Sequence, residues 1–186
     1  MLLLVTDTSG KQGSVALARG GSPPNEVEVI ASAPLAGGTF SAQLVPQIAV
    51  LLTRHGFNKA DIDAFVVVSG PGSFTGLRVG LAAIKALAEI LRRPIAPVSL
   101  LEAVAVASRA IGKVLAVLDA GRGEVYTAEY EVGEDSARLL REQLVSKDEF
   151  LWQTQAWWLS HLTKHWPNAR GMRDVRFVRL LSLALR

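Results

Sequence analysis

The chain contains no cysteine in 186 residues, which excludes disulfides and thiolate metal sites and fits a reducing compartment. It has only three histidines, His55, His161 and His165. His161 and His165 stand four apart, but no glutamate completes a His-Glu-x-x-His pattern, so the pair reads as an ordinary surface helix rather than a metal site. No Ser/His/Asp or lysine-based constellation emerges either. No apolar run free of charges and turn residues reaches the roughly 18 needed to cross a bilayer. Met1 to Val5 is too short for a secretory core, lacks a basic flank and meets Asp7 at once. These absences give the expectation of a soluble, cytoplasmic protein without a membrane partner.

What is present is an apolar body. Hydrophobic residues make up 49% of the chain and the mean hydropathy is +0.28, ample for a buried core in one large domain or two lobes. The sequence pI near 9.5 invites a nucleic-acid reading. Its distribution argues otherwise. Residues 1–145 carry 13 Lys+Arg against 14 Asp+Glu, whereas residues 146–186 carry 7 against 3. All four tryptophans (Trp152, Trp157, Trp158, Trp166) also lie beyond residue 146. The division expected is a first lobe over 1–98, the start of a second over 99–145, and a basic, Trp-rich tail over 146–186.

The stretch Ser69 to Gly80, SGPGSFTGLRVG, is where the chain turns. The β-branched run Phe65-Val66-Val67-Val68 before it predicts a buried strand, and Leu77 to Leu91 after it predicts a buried helix. Ser73 or Thr75 can cap that helix. A helix start with outward N–H groups can hold an anion, but a tight strand-to-helix turn without a ligand explains the same residues. A P-loop is excluded because Leu77 stands where its lysine belongs, and the glycine spacing does not fit a dinucleotide fingerprint.

Strands are expected at Leu2–Thr6, Ser14–Ala18 and Glu26–Ala33, forming an antiparallel meander, with a breaker over Pro34–Thr39. Leu44, Val45, Ile48, Leu51 and Leu52 predict a helix over Phe40–His55, capped by Ser41 and kinked or delayed by Pro46. A short strand at Ile95–Val98 precedes a helix from Leu100 to Ala110 capped by Ser99. Further strands follow at Val114–Leu118, Glu124–Glu131 and Arg138–Val145, and Ser146-Lys147-Asp148-Glu149 is a helix-capping sequence. The chain thereby repeats itself. LLLVTD, a glycine-containing turn and SVALA are answered by LAVLD, AGRG and EVYTAEY, with Asp7 and Asp119 at matching strand ends. Two related lobes predict an α/β fold with mixed sheets. Strand-end aspartates in paired lobes fit an actin/hexokinase-like nucleotide cleft made of Asp7, Thr8, Ser9, Asp119, Gly121 and Gly123, and an ATPase or kinase acting through Asp7 and Asp119. They fit equally a pair of aspartates that close turns. No glycine-rich adenosine loop follows residue 133, which counts against the enzyme.

Three ordered segments resemble the bacterial TsaB (YeaZ) family: Asp7-Thr8-Ser9 with Ser14-Val15-Ala16-Leu17, then Ser69 to Gly80, then Leu118 to Tyr126 with Ala128-Glu129-Tyr130. They span residues 1 to about 145. The resemblance implies the actin-like ATPase (ASKHA) fold, two ribonuclease-H-like lobes with the second incomplete. It implies a part in making N6-threonylcarbamoyladenosine at position 37 of tRNA, as a non-catalytic partner of the TsaD transferase. The TsaE ATPase would join the complex, and tRNA would be met indirectly through it. No cofactor is implied for this chain; ATP/Mg and a metal would sit in the partner subunits. A homodimer in the absence of TsaD would use the same surface, the first-lobe helices at about Ser41–His55 and Thr75–Leu91. The residues implied there are Ser41, Leu44, Val45, Ile48, Thr75, Arg78, Val79, Leu81, Ala82 and Lys85. A glycoprotease activity finds no residues to carry it.

Two departures stand out. Phe40-Ser41 replaces the His-Ser/Thr pair that members usually have at the start of the first helix. Beyond Trp152 the family's closing Pro-x-Tyr-hydrophobic-Arg segment is missing; a truncated or frame-shifted end, or a lineage-specific tail, would each give this composition shift. Arg170, Arg173, Arg176 and Arg179 recur every three residues and offer direct tRNA binding, against the simpler reading of a solvated face.

Overall fold

The computed structural model describes residues 1–20, 27–134 and 136–154. The chain forms two compact units, Met1–Leu100 and Leu101–Arg186.

In the first unit, β1 (Leu2–Asp7), β2 (Gly13–Gly20) and β3 (Val27–Leu35) form the meander, followed by α1 (Phe40–Arg54), β4 (Ala64–Gly70), α2 (Phe74–Leu91) and β5 (Ile95–Ser99). The sheet order is β3-β2-β1-β4-β5. β1 pairs antiparallel with β2 and parallel with β4, and β5 extends the sheet in parallel. The alternation in β1 decides which face is core. Leu2, Leu4 and Thr6 are buried, while Leu3, Val5 and Asp7 on the opposite face are half-buried. Leu4, Val15, Leu17, Phe65 and Val67 meet Leu44, Ile48, Leu51, Leu52, Ile84 and Ala88 of the two helices in one core. A fully buried side chain of this size contributes about 1.5–3 kcal/mol.

Three expectations change. The breaker at Pro34 does not end β3, which runs to Leu35 with Pro34 opposite Ser14. An edge strand tolerates proline because one of its N–H rows has no ladder partner. α1 starts at Phe40 with Thr39, not Ser41, as its cap residue. Gln43 fixes this start: its amide donates to Thr39 Oγ1 at 2.7 Å and its Oε1 accepts from Ala36 N–H at 3.0 Å. Pro46 lies inside α1 rather than delaying it; it is exposed, so the N–H it lacks is missing from the solvent side.

The second unit contains α3 (Leu100–Ala107, its first residue at the boundary), β6 (Gly112–Gly121), β7 (Glu124–Val132) and β8 (Ala137–Ser146). α3 ends at Ala107, short of the expected Ala110. The strands form an antiparallel sheet in the order β6-β7-β8. Leu101 and Ala105 of α3 pack with Val114, Ala116, Ala128, Tyr130 and Val132. Residues 147–154 are helical, and Ser146 Oγ accepts from Glu149 N–H at 3.0 Å, the capping geometry read from SKDE. His161, His165 and the arginines of the tail lie outside the described residues. Among the described residues no helix is long and apolar enough to cross a membrane, and no group of three His, Asp or Glu is placed to hold a metal ion.

Candidate functional site

The loop after β4 and the turn after β1 are locked together. Asp7 Oδ1 accepts from the Ser9 N–H at 2.8 Å and the Ser9 hydroxyl at 2.6 Å. Thr8 is buried, and its hydroxyl donates to the Gly76 carbonyl at 2.8 Å. Ser73 N–H donates to the Ser9 carbonyl at 2.6 Å. Ser73 also caps α2, its Oγ accepting from Gly76 N–H at 3.3 Å. Two donors that an anion would need at this helix start are therefore engaged by the chain itself.

The glycines at 76 and 80 have a steric role. A Cβ on Gly76 would collide with the Thr8 carbonyl oxygen, and one on Gly80 with the Thr8 hydroxyl. α2 thus lies directly against the end of β1. The Phe40 ring closes the same corner, touching the positions where side chains at Gly13 and Gly76 would begin. The aromatic ring at the first helix start is consequently part of the packing that joins α1 to the β1–β2 turn.

α1 and α2 cover one face of the sheet and share its core, so their remaining sides form an outward surface. Ser41, Val45, Thr75, Arg78, Ala82 and Lys85 are exposed there, and Val79 and Leu81 are half-buried. Leu44 and Ile48 are corrected: at 1% and 5% exposure they belong to the core and cannot meet a partner. They lie on the 44/48/51/52 stripe that faces the sheet. Sequence reasoning missed Phe74, which is 73% exposed at the first position of α2 with the Arg78 guanidinium 5.1 Å from its ring centroid. The four-residue spacing Phe74, Arg78, Ala82 is the signal that could have found it. Ile90 closes the same helix with 74% exposure.

In the second unit Asp119 Oδ1 accepts from Gly121 N–H at 3.0 Å and lies 3.3 Å from Lys147 Nζ. Gly121, Arg122 and Gly123 all have positive φ, at 78°, 52° and 82°, and form the sharp turn into β7. Asp7 and Asp119 each hold a turn in their own unit through a backbone N–H two residues ahead.

The strand order of the first unit, with two helices on one face, and the repeat of its meander in the second define an α/β protein of the actin-like (ASKHA) class built on ribonuclease-H-like topology. The family model for "TsaD: tRNA N6-adenosine threonylcarbamoyltransferase" matches residues 34–178. The tRNA threonylcarbamoyladenosine biosynthesis protein TsaB of Escherichia coli is 32% identical over 180 residues, covering 90% of this chain and 74% of that protein. The chain belongs to the TsaB/YeaZ family. Its TsaB relative from Bacillus subtilis is 36% identical over 133 residues, covering 70% of this chain and 56% of that protein. The solved structure of YeaZ from Pseudomonas aeruginosa superposes with a TM-score of 0.63 at 29% identity, covering 78% of this chain and 67% of that one. The match of the TsaD-described model runs to residue 178, beyond the three resembling segments, which span residues 1 to about 145.

Proposed function

We propose that this chain is an accessory subunit in the synthesis of threonylcarbamoyladenosine in tRNA, a cytoplasmic protein that binds and supports a TsaD-type transferase without catalysis of its own. The observation that carries the docking part is the outward side of α1 and α2. Val45, Phe74, Ala82 and Ile90 leave apolar and small side chains exposed along two packed helices, a rigid surface suited to another helix pair. The same surface would serve a homodimer when the transferase is absent. A TsaE-type ATPase completes the proposed assembly, with ATP, Mg and a metal held in the partner subunits and tRNA reached through them. The relatives named as threonylcarbamoyladenosine biosynthesis proteins support the pathway.

The experiment is complementation. The full chain, expressed with the TsaD of its own source in a strain depleted of TsaB, is expected to restore threonylcarbamoyladenosine in tRNA. Persistently unmodified tRNA despite soluble expression of both proteins contradicts the proposal.

A further inference from the structure

Charge in the first unit is gathered at one end of its sheet. β1, β3, β4 and β5 run in one direction, so α1 and α2, which each return the chain to the start of the next strand, finish at the same end. That end carries Arg54 and His55 of α1, Lys59 of the 3-10 turn Lys59–Asp61, and Arg92 and Arg93 at the close of α2. Arg93 ties the turn to the helix: its guanidinium donates to the Ala60 carbonyl at 3.0 Å and lies 3.8 Å from Asp63. The acids beside it are committed. Asp63 also accepts from Leu2 N–H at 2.7 Å, and Asp61 accepts from Asn58 N–H at 2.7 Å. Arg19 and Glu28, at the same end, stand opposite each other in register. Arg54, Lys59 and Arg92 are exposed, and among the described residues none of the three has an ion-pair partner. Glu89 in the last turn of α2 is the remaining acid.

We infer that this end of the first unit is a contact surface for the phosphate backbone of RNA, held by Arg54, Lys59 and Arg92. The three cations stand on separate elements that Arg93 and the α1–α2 packing hold together. Arginine offers a planar fork of donors and lysine a point charge, and phosphate oxygens accept from both. Arg92 leaves the chain from a fixed point, since it is the C-cap of α2 with a φ of 53° and its own N–H returns to that helix. Cations at helix ends also complement the helix dipole. That accounts for Arg54 and Arg92 but not for Lys59, which lies on a turn beyond either helix. An acidic protein fits less well: no large apolar side chain is exposed between Thr53 and Asp63, so the patch lacks the apolar centre of a protein interface. The choice of RNA over another polyanion rests on the tRNA pathway proposed above. The docking of a transferase does not enter, because this patch lies at the ends of α1 and α2 rather than along their sides. The chain then meets tRNA directly as well as through its partners.

The test is binding of a labelled, unmodified tRNA transcript to the purified full chain, followed by fluorescence anisotropy across a salt series. Binding is expected, and it is expected to weaken as salt rises. The combined variant Arg54→Gln, Lys59→Gln, Arg92→Asn, in which asparagine suits the left-handed backbone, is expected to lose at least about 10-fold in affinity with its thermal midpoint unchanged. The slope of log affinity against log salt should fall by about one for each cation removed. Lys59→Gln alone is expected to act in the same direction by less. Lys11→Gln, Lys113→Gln, Arg138→Gln removes the same charge elsewhere and is expected to leave the affinity much closer to that of the unsubstituted chain. Absence of binding by the full chain overturns the inference. So does a combined variant that binds as tightly as the unsubstituted chain, which assigns the RNA to the basic segment after residue 146. Equal losses in the two triple variants reduce the effect to net charge and overturn it. Displacement of the transcript by polyglutamate as readily as by unlabelled tRNA assigns the patch to acidic polypeptides and also overturns it. The transcript binds without a transferase, so failure here and failure of complementation are separate results.

Discussion

The two meanders, β1-β2-β3 and β6-β7-β8, share a strand arrangement and differ in what is built on them. The first is extended by two parallel strands and roofed by two helices, and its central residues Leu4, Val15 and Phe65 have no exposure at all. In the second, among the described residues, α3 covers only part of the apolar face and leucines on the edge strand remain half-exposed. The comparison teaches that a three-stranded meander does not close its own core; the helix that follows it does. It also separates two kinds of exposed apolar surface. On α1 and α2 the exposed residues lie outside a finished core, where a partner can use them. On β8 they lie on the core face itself.

The glycines sharpen this contrast. Gly80 is required for space, because α2 touches Thr8, whereas Gly123 has open space around it and is required for its φ of 82°. Gly80→Val should therefore be among the most damaging changes, costing about 3 kcal/mol and lowering the unfolding midpoint of the first unit by on the order of 10 °C. A normal midpoint would show that α2 does not rest on β1 this closely. Leu44→Ala should follow at about 2–5 kcal/mol, while the adjacent exposed Val45→Ala should change chemical denaturation by less than about 0.5 kcal/mol. Equal effects at the two positions would break the assignment of inner and outer sides of α1. Gly123→Ala should cost about 1 kcal/mol, and Gly123→Asn less, because asparagine tolerates left-handed backbone. Smallest of all, Lys147→Ala removes an exposed ion pair with Asp119 and should shift denaturation by less than about 0.5 kcal/mol, with the difference vanishing in high salt.

Much of this was legible from residue spacing. The β-branched run before SGPGSFTG, the serine cap at Ser73 and the repeated strand–turn–strand unit all reflect local chemistry, and local chemistry decided them. The departures have more than one source, some local and some set by the sheet. The start of α1 depends on Gln43 reaching back to Thr39 and Ala36, not on the hydroxyl nearest the helix. The resemblance places Leu44 and Ile48 on a partner surface by their helix alone, although their spacing with Leu51 and Leu52 is that of the core stripe. Phe74 escapes a reading by residue type because an aromatic residue is ordinarily core, and only its position at the first turn of α2 leaves it outside. The open side of β8 depends on which strand forms the edge, information that no local window contains.

The most direct test of the proposed docking is binding of the purified full chain to the TsaD-type transferase of its own source, measured by calorimetry for the unsubstituted protein and for a Phe74→Ala, Ala82→Glu variant whose thermal midpoint is measured alongside. A loss of at least about 30-fold in affinity is expected, the size of a lost interface hot spot, with the midpoint unchanged. Undiminished affinity in the folded variant would contradict the assignment of the α1–α2 surface to the partner.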